Sequence, residues 1–199
     1  MANVCGDDVY FFSGTNPEGL LSLWEDLEAS VIICPDADKA WIGNLFEYKG
    51  ILTAGIGLRG TVSYMERNED HILLSTATAW TPLLEAYAAI ADTYGVEFVM
   101  LSIEPGEGIY YNTDISGKYF PDRYMVSIRD EALVTPSGER ITEKLEYDNP
   151  FALAEDILAC FQALGYEAES FEALKGLLEE SDIYIHEFEN PYQPDDAAA

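Results

Sequence analysis

The sequence predicts an α+β fold, and three observations lead there. Residues 61–66 and 71–78 are strand-like runs on either side of Arg67-Asn68-Glu69-Asp70, which is the pattern of a hairpin. Stretches with apolar residues at i, i+3, i+4 and i+7 stand between strand-like runs rather than in one block. The clearest strand, residues 96–103, follows directly on a helical stripe that Gly95 stops.

Along the chain, residues 8–13 (Asp-Val-Tyr-Phe-Phe-Ser) read as a first strand ended by Gly14. Thr15 or Asn16 caps a helix with Pro17 in its first turn. Leu20, Leu23, Trp24 and Leu27 form its apolar stripe, and Glu25, Asp26 and Glu28 fall mainly on the wet side. A short apolar run, residues 31–34, stops at Pro35, and Asp36 or Asp38 starts a shorter helix carrying Trp41, Leu45 and Phe46. Residues 50–60 hold four glycines and read as a loop.

After the hairpin, Thr81 is expected to cap a helix with Pro82 at its first position. Its stripe is Leu83, Leu84, Tyr87, Ile90, Ala91 and Tyr94. A turn over residues 104–108 leads to strands over 109–113 and 124–128, which are expected to extend the sheet. From residue 8 to residue 103 the order is β-α-(insert)-β-β-α-β, that of a ferredoxin-like split βαβ unit. Further on, Asn149 caps and Pro150 opens a helix with Phe151, Ala154, Ile157, Leu158, Phe161 and Leu164, stopped by Gly165. Ser170 caps another with Leu174, Leu177 and Leu178, and residues 182–188 alternate as a strand. The tail, residues 190–199, is expected to fray. The expected organisation is a ferredoxin-like core over residues 1–130, with an insert at about 31–60. An acidic C-terminal extension, 131–199, packs on it.

Thirty-seven Asp and Glu stand against ten Lys and Arg, for a formal charge of −27. With 48% hydrophobic and 13% aromatic residues, the chain still has the material for a core and does not read as disordered. A surface this negative repels nucleic acid and anionic lipid and attracts basic partners. The excess is uneven: residues 151–199 carry twelve acids and one base, Lys175, on segments with their own apolar stripe. Cys5, Cys34 and Cys160 are widely spaced with no CxxC, so reduced thiols are expected. The first eight residues lack a secretory pattern, and no run approaches the ~18 apolar residues of a membrane span, so a cytoplasmic protein with no membrane contact is expected.

No motif for catalysis is strong. His71 and His186, the two histidines, have neither HxH nor HExxH spacing. Gly-Ile-Gly-Leu-Arg-Gly at 55–60 lacks the Lys-Ser/Thr ending of a phosphate loop. There is no DxDxDG calcium loop. Tyr110, Tyr111, Tyr119, Phe120 and Tyr124, with Arg123 and Arg129, have the composition of a single-strand stacking surface, but the surrounding charge favours sheet packing. No cofactor and no catalytic residue are assigned.

The opening Met1-Ala-Asn-Val-Cys5 with Phe12-Ser-Gly14 resembles the start of the Api92-like (YubB-type) family. Thr78-Ala-Trp-Thr-Pro82, the helix behind it, and Glu104-Pro-Gly-Glu-Gly-Ile-Tyr110 resemble that family's ferredoxin-like core. The resemblance covers about residues 1–14 and 75–129; Val4 stands where the family commonly has Trp, and the acidic region after Pro150 lies outside the pattern. It implies an accessory protein of a plasmid, phage or other mobile element, and no catalytic residues.

The expected function is therefore non-enzymatic binding of a basic protein, with no direct contact to nucleic acid. In its sharpest form this is an acidic DNA mimic that occupies a DNA-binding protein, as an antirestriction protein does. A general interaction module and, third, a hydrolase using carboxylates with His71 or His186 are the alternatives. The candidate partner surface comprises Glu25, Asp26, Glu28, Glu167, Glu169, Glu172, Glu179, Glu180, Asp182, Glu187 and Glu189. Self-repulsion among so many carboxylates opposes folding and is screened by salt. The melting temperature should accordingly rise between low and physiological ionic strength in calorimetry; a flat or falling trend would contradict this.

Overall fold

The computed structural model describes residues 3–33 and 40–193; Cys34, Pro35, Asp36 and Asp38 lie outside the described residues. The chain forms a mixed α+β structure that divides into two units, Met1–Ile115 with Pro191–Ala199, and Ser116–Asn190. The boundary between them falls before, not at, residue 130.

In the first unit, β1 (Val4–Phe12) begins four residues earlier than the sequence pattern suggested. The reason is that Cys5, Asp7, Val9 and Phe11 alternate as buried positions, and an acidic residue occupies one of them. Helix α1 (Pro17–Leu27) is capped by Asn16, whose side chain accepts from Gly19 N–H at 3.0 Å. Its last turn widens into a π-helical turn, Glu28–Ile32, where Ile33 N–H reaches back five residues to Glu28 C=O. Helix α2 (Gly43–Lys49) ends at Gly50, whose φ of +73° suits a residue without a Cβ.

The expected hairpin forms from β2 (Gly60–Arg67) and β3 (His71–Ala79), with a register shift between Val62 and Tyr64. Helix α3 (Leu84–Tyr94) starts two residues later than Pro82, and Thr81 does not cap it. The first free donor, Leu83 N–H, goes instead to the carboxylate of Asp7, distant in sequence. Gly95 stops α3 with φ +62°, as expected. Then β4 (Glu97–Glu104) and β5 (Ile109–Asn112) complete an antiparallel sheet of order β2-β3-β1-β4-β5. One face carries Val9, Phe11, Ile72, Leu74 and Met100, which form a continuous core with Leu20, Leu23 and Leu27 of α1, Leu45 and Phe46 of α2, and Tyr87 and Ile90 of α3.

Residues 124–128 do not extend that sheet. They form β6 (Tyr124–Ile128), the centre of a separate antiparallel sheet in the second unit, ordered β7-β6-β8 with β7 (Asp148–Phe151) and β8 (Ile183–Glu187). Asn149 and Pro150 therefore lie in an edge strand, not at a helix start. Asn149 bonds its side chain to Glu146 N–H and C=O, and Pro150 is tolerated because, among the described residues, β7 pairs on one side alone. Helix α4 (Ala154–Ala163) begins later, and Gly165 follows it with φ +92°. Helix α5 (Phe171–Leu178) is capped by Ser170 as expected, Oγ accepting from Ala173 N–H at 3.1 Å. The second core joins Val126 and Ile128 of β6, Ile157 and Phe161 of α4, Leu174 and Leu178 of α5, and Ile183 of β8. Phe161→Ala, at a fully buried site, should cost about 3–5 kcal/mol in urea unfolding. Leu177→Ala, at an exposed one, should stay within about 0.5 kcal/mol.

Candidate functional site

The least expected side chain is Asp7, on the central strand and 1% exposed. Its Oδ2 accepts from Tyr87 OH at 2.8 Å and Leu83 N–H at 3.1 Å, and Oδ1 accepts from the Cys5 thiol at 3.3 Å. Tyr87 donates to Asp7, so the 2.6 Å contact between Tyr87 OH and Thr76 Oγ1 must be donated by Thr76. Burial raises the Asp7 carboxyl above its ordinary value, and the bonds from Tyr87 and Leu83 oppose that shift. Burial, with the charge of Asp7, pushes the Cys5 thiol up to about 12, which leaves it inert as a nucleophile. Burial also raises the Cys160 thiol. This buried cluster ties β1 to α3 through the bonds of Asp7 to Leu83 and Tyr87.

The two histidines belong to different units. His71 Nδ1 lies 2.7 Å from Asp70 Oδ1 and its Nε2 3.0 Å from Asn68 Nδ2, and its ring meets Tyr10 of β1 edge-on at 5.1 Å. His186 stacks on Tyr184 with ring centroids 6.3 Å apart, and burial followed by the charge of Arg129 lowers its pKa. On the same sheet, Ser127 Oγ donates to Asp148 Oδ1 at 2.6 Å. Among the described residues no three His, Cys, Asp or Glu side chains are grouped as metal ligands. The glycine-rich residues 55–60 lead into β2 rather than a helix, so they present no phosphate-binding helix N-terminus. Tyr110 and Phe120 are buried, Tyr111 and Tyr119 half-buried, and Tyr124 packs edge-on against Phe171 at 5.4 Å. None of these five rings is exposed as a stacking platform. Among the described residues no helix is long and apolar enough to cross a membrane.

The acidic residues divide between the units. Glu25, Asp26 and Glu28 belong to the first. Asp26 is engaged within it: Oδ2 takes the Lys49 ammonium at 2.7 Å and the Tyr94 hydroxyl at 2.8 Å. The other eight belong to the second unit, and all are exposed. Glu167 and Glu169 lie between α4 and α5, and Glu172 in the first turn of α5. Glu179, Glu180 and Asp182 occupy the link from α5 to β8; Glu187 ends β8 and Glu189 follows it. Lys175 sits 3.6 Å from Glu172 and over the Phe171 ring at 5.5 Å. This group is the candidate site: fixed negative charge on a packed scaffold.

None of the family models, curated proteins or solved structures compared with the chain matches it.

Asp7→Asn keeps an acceptor for Tyr87 and Leu83, whereas Asp7→Ala strands both donors and should cost about 2–4 kcal/mol. Because the folded carboxyl titrates above its unfolded value, the native state holds a proton that the unfolded chain has released. Wild-type stability should therefore fall as pH rises from the ordinary Asp range through the raised folded value. Urea unfolding across that window should show wild type losing ground to Asp7→Asn, and a constant difference would contradict the assignment.

Proposed function

We propose that the protein is a non-enzymatic binding protein whose acidic surface, centred on the second unit, engages a basic protein partner. The observation that carries this reading is the set of eight exposed carboxylates from Glu167 to Glu189, with Lys175 as the one Lys or Arg in that stretch of sequence. Long-range attraction from such a surface speeds encounter with a cationic protein and opposes encounter with nucleic acid. Burial of Cys5, with its thiol pushed up to about 12, argues against a nucleophilic role for it and favours the binding reading.

The first unit supports the finer reading of a ferredoxin-like core. Its first four strands take the order β2-β3-β1-β4, with β2 and β3 joined as a hairpin and helices after β1 and β3. With the resemblance to the Api92-like family, this favours an accessory protein of a mobile element, acting in the cytoplasm. The sharpest form of the proposal is DNA mimicry: the carboxylates occupy the DNA-binding surface of a host protein. Duplex DNA presents one charge per ~1.7 Å, so an imitation needs a dense array on a rigid support.

Tagged protein immobilised at low salt should capture a DNA-binding protein from host lysate, and duplex DNA should displace it. Capture of no such partner, or of one that duplex DNA leaves in place, would overturn the mimicry reading.

A further inference from the structure

A groove of about 470 Å³ runs between α5 and β8 in the second unit. Leu178 and Ile183 form its buried floor and Ile185 its half-buried apolar side, while Glu172, Glu179 and Tyr184 stand along it with Lys175. Of its two carboxylates, Glu172 is 3.6 Å from Lys175, and Glu179 has no ion pair among the described residues. Gly176 lines it too, and a Cβ added there would meet nothing within 4 Å.

β8 is an edge strand, pairing with β6 alone among the described residues. Phe188 N–H bonds to Arg123 C=O at 2.9 Å and Arg129 N–H to Asp182 C=O at 2.8 Å. The antiparallel alternation then turns the backbone groups of Tyr184 and His186 toward β6 and those of Ile183, Ile185 and Glu187 toward the open edge. Ser181 Oγ accepts from Ile183 N–H at 3.3 Å, and the strand continues outward unpaired from there. An open edge beside a groove of mixed polar and apolar lining is a template for strand addition.

We propose that this groove binds an extended, basic peptide segment of the partner, which adds to β8 as a fourth strand. The proposal rests on the acidic-surface reading and names how the partner is seated. Charge selects the occupant. A second copy of the chain would bring its own Asp182, Glu187 and Glu189 against the same residues, and with −27 on each copy that pairing is repelled. A strand alternating lysine with apolar residues satisfies the backbone edge, sets its apolar face beside Ile185 and turns its ammonium groups to the opposite face, that of the exposed ring of Tyr184.

The test uses the intact protein and a labelled, end-blocked peptide of four Lys-Val repeats. It combines fluorescence anisotropy with amide shift mapping. The peptide should bind at least about ten-fold more tightly than its Glu-Val counterpart, and the amides of Ile185 and Glu187 should shift. N-methylation of alternate peptide nitrogens, which keeps the charge but removes edge donors, should weaken binding about ten-fold. Gly176→Leu should do the same by filling the groove, with the melting temperature maintained. Equal binding of the N-methylated peptide, or dimerisation through β8 in sedimentation without peptide, would overturn the proposal. Salt-sensitive binding that shifts other amides sinks the groove alone; the acidic-surface reading falls on capture and duplex displacement instead.

Discussion

A chain carrying 27 excess negative charges can fold only if each carboxylate is left in water or given donors. Asp7 is where that constraint is met most severely. It sits in the middle of the five-stranded sheet, where an unpartnered carboxylate would oppose assembly. Its donors are drawn from the start of α3, from a tyrosine one turn further along, and from its own strand. The same bonds that make the carboxylate tolerable fix where α3 begins and how it meets β1 and β3. The rest of the first unit packs apolar side chains around that junction, with Phe11, Tyr87 and Phe98 in mutual ring contact.

Most helices and strands were legible in the sequence because their apolar periods are clean. The α1 stripe, the β2–β3 hairpin, the Gly95 stop and the Ser170 cap all appear where residue type and spacing place them. The errors share a physical cause, which is that local signals were outweighed by distant partners. Thr81-Pro82 and Asn149-Pro150 look like helix starts, yet Asp7 takes the first donor of α3, and β6 draws residues 148–151 into a strand. Asp7 stands just before residues 8–13, the stretch whose pattern predicts the first strand. The alternation Cys5, Asp7, Val9, Phe11 held the signal, but a carboxylate inside an apolar alternation reads as its end. Nor could spacing say that Tyr124–Ile128 pairs with a strand some sixty residues on rather than with the sheet before it.

For the candidate site, the sequence located the charge but not its use. Asp26 looked like one more surface carboxylate, and its bonds to Lys49 and Tyr94 give it a packing role. The acids around α5 and β8 kept the exposure expected of them. What the sequence could not reveal is that they flank a groove and an open strand edge, since both depend on which side of β8 is paired. Charge density and groove are complementary in effect. In the proposed binding, the first draws a cationic partner from a distance, and the second gives it a direction and a register.

The central claim is that fixed negative charge on the second unit holds the partner. The most direct measurement is the salt dependence of affinity for the captured protein, compared between wild type and a variant with Glu167, Glu169, Glu179 and Glu180 replaced by Gln. Screening should weaken wild-type binding steeply as ionic strength rises, and the variant should bind more weakly with a shallower slope. Equal slopes for the two proteins, or wild-type affinity indifferent to salt, would contradict the account.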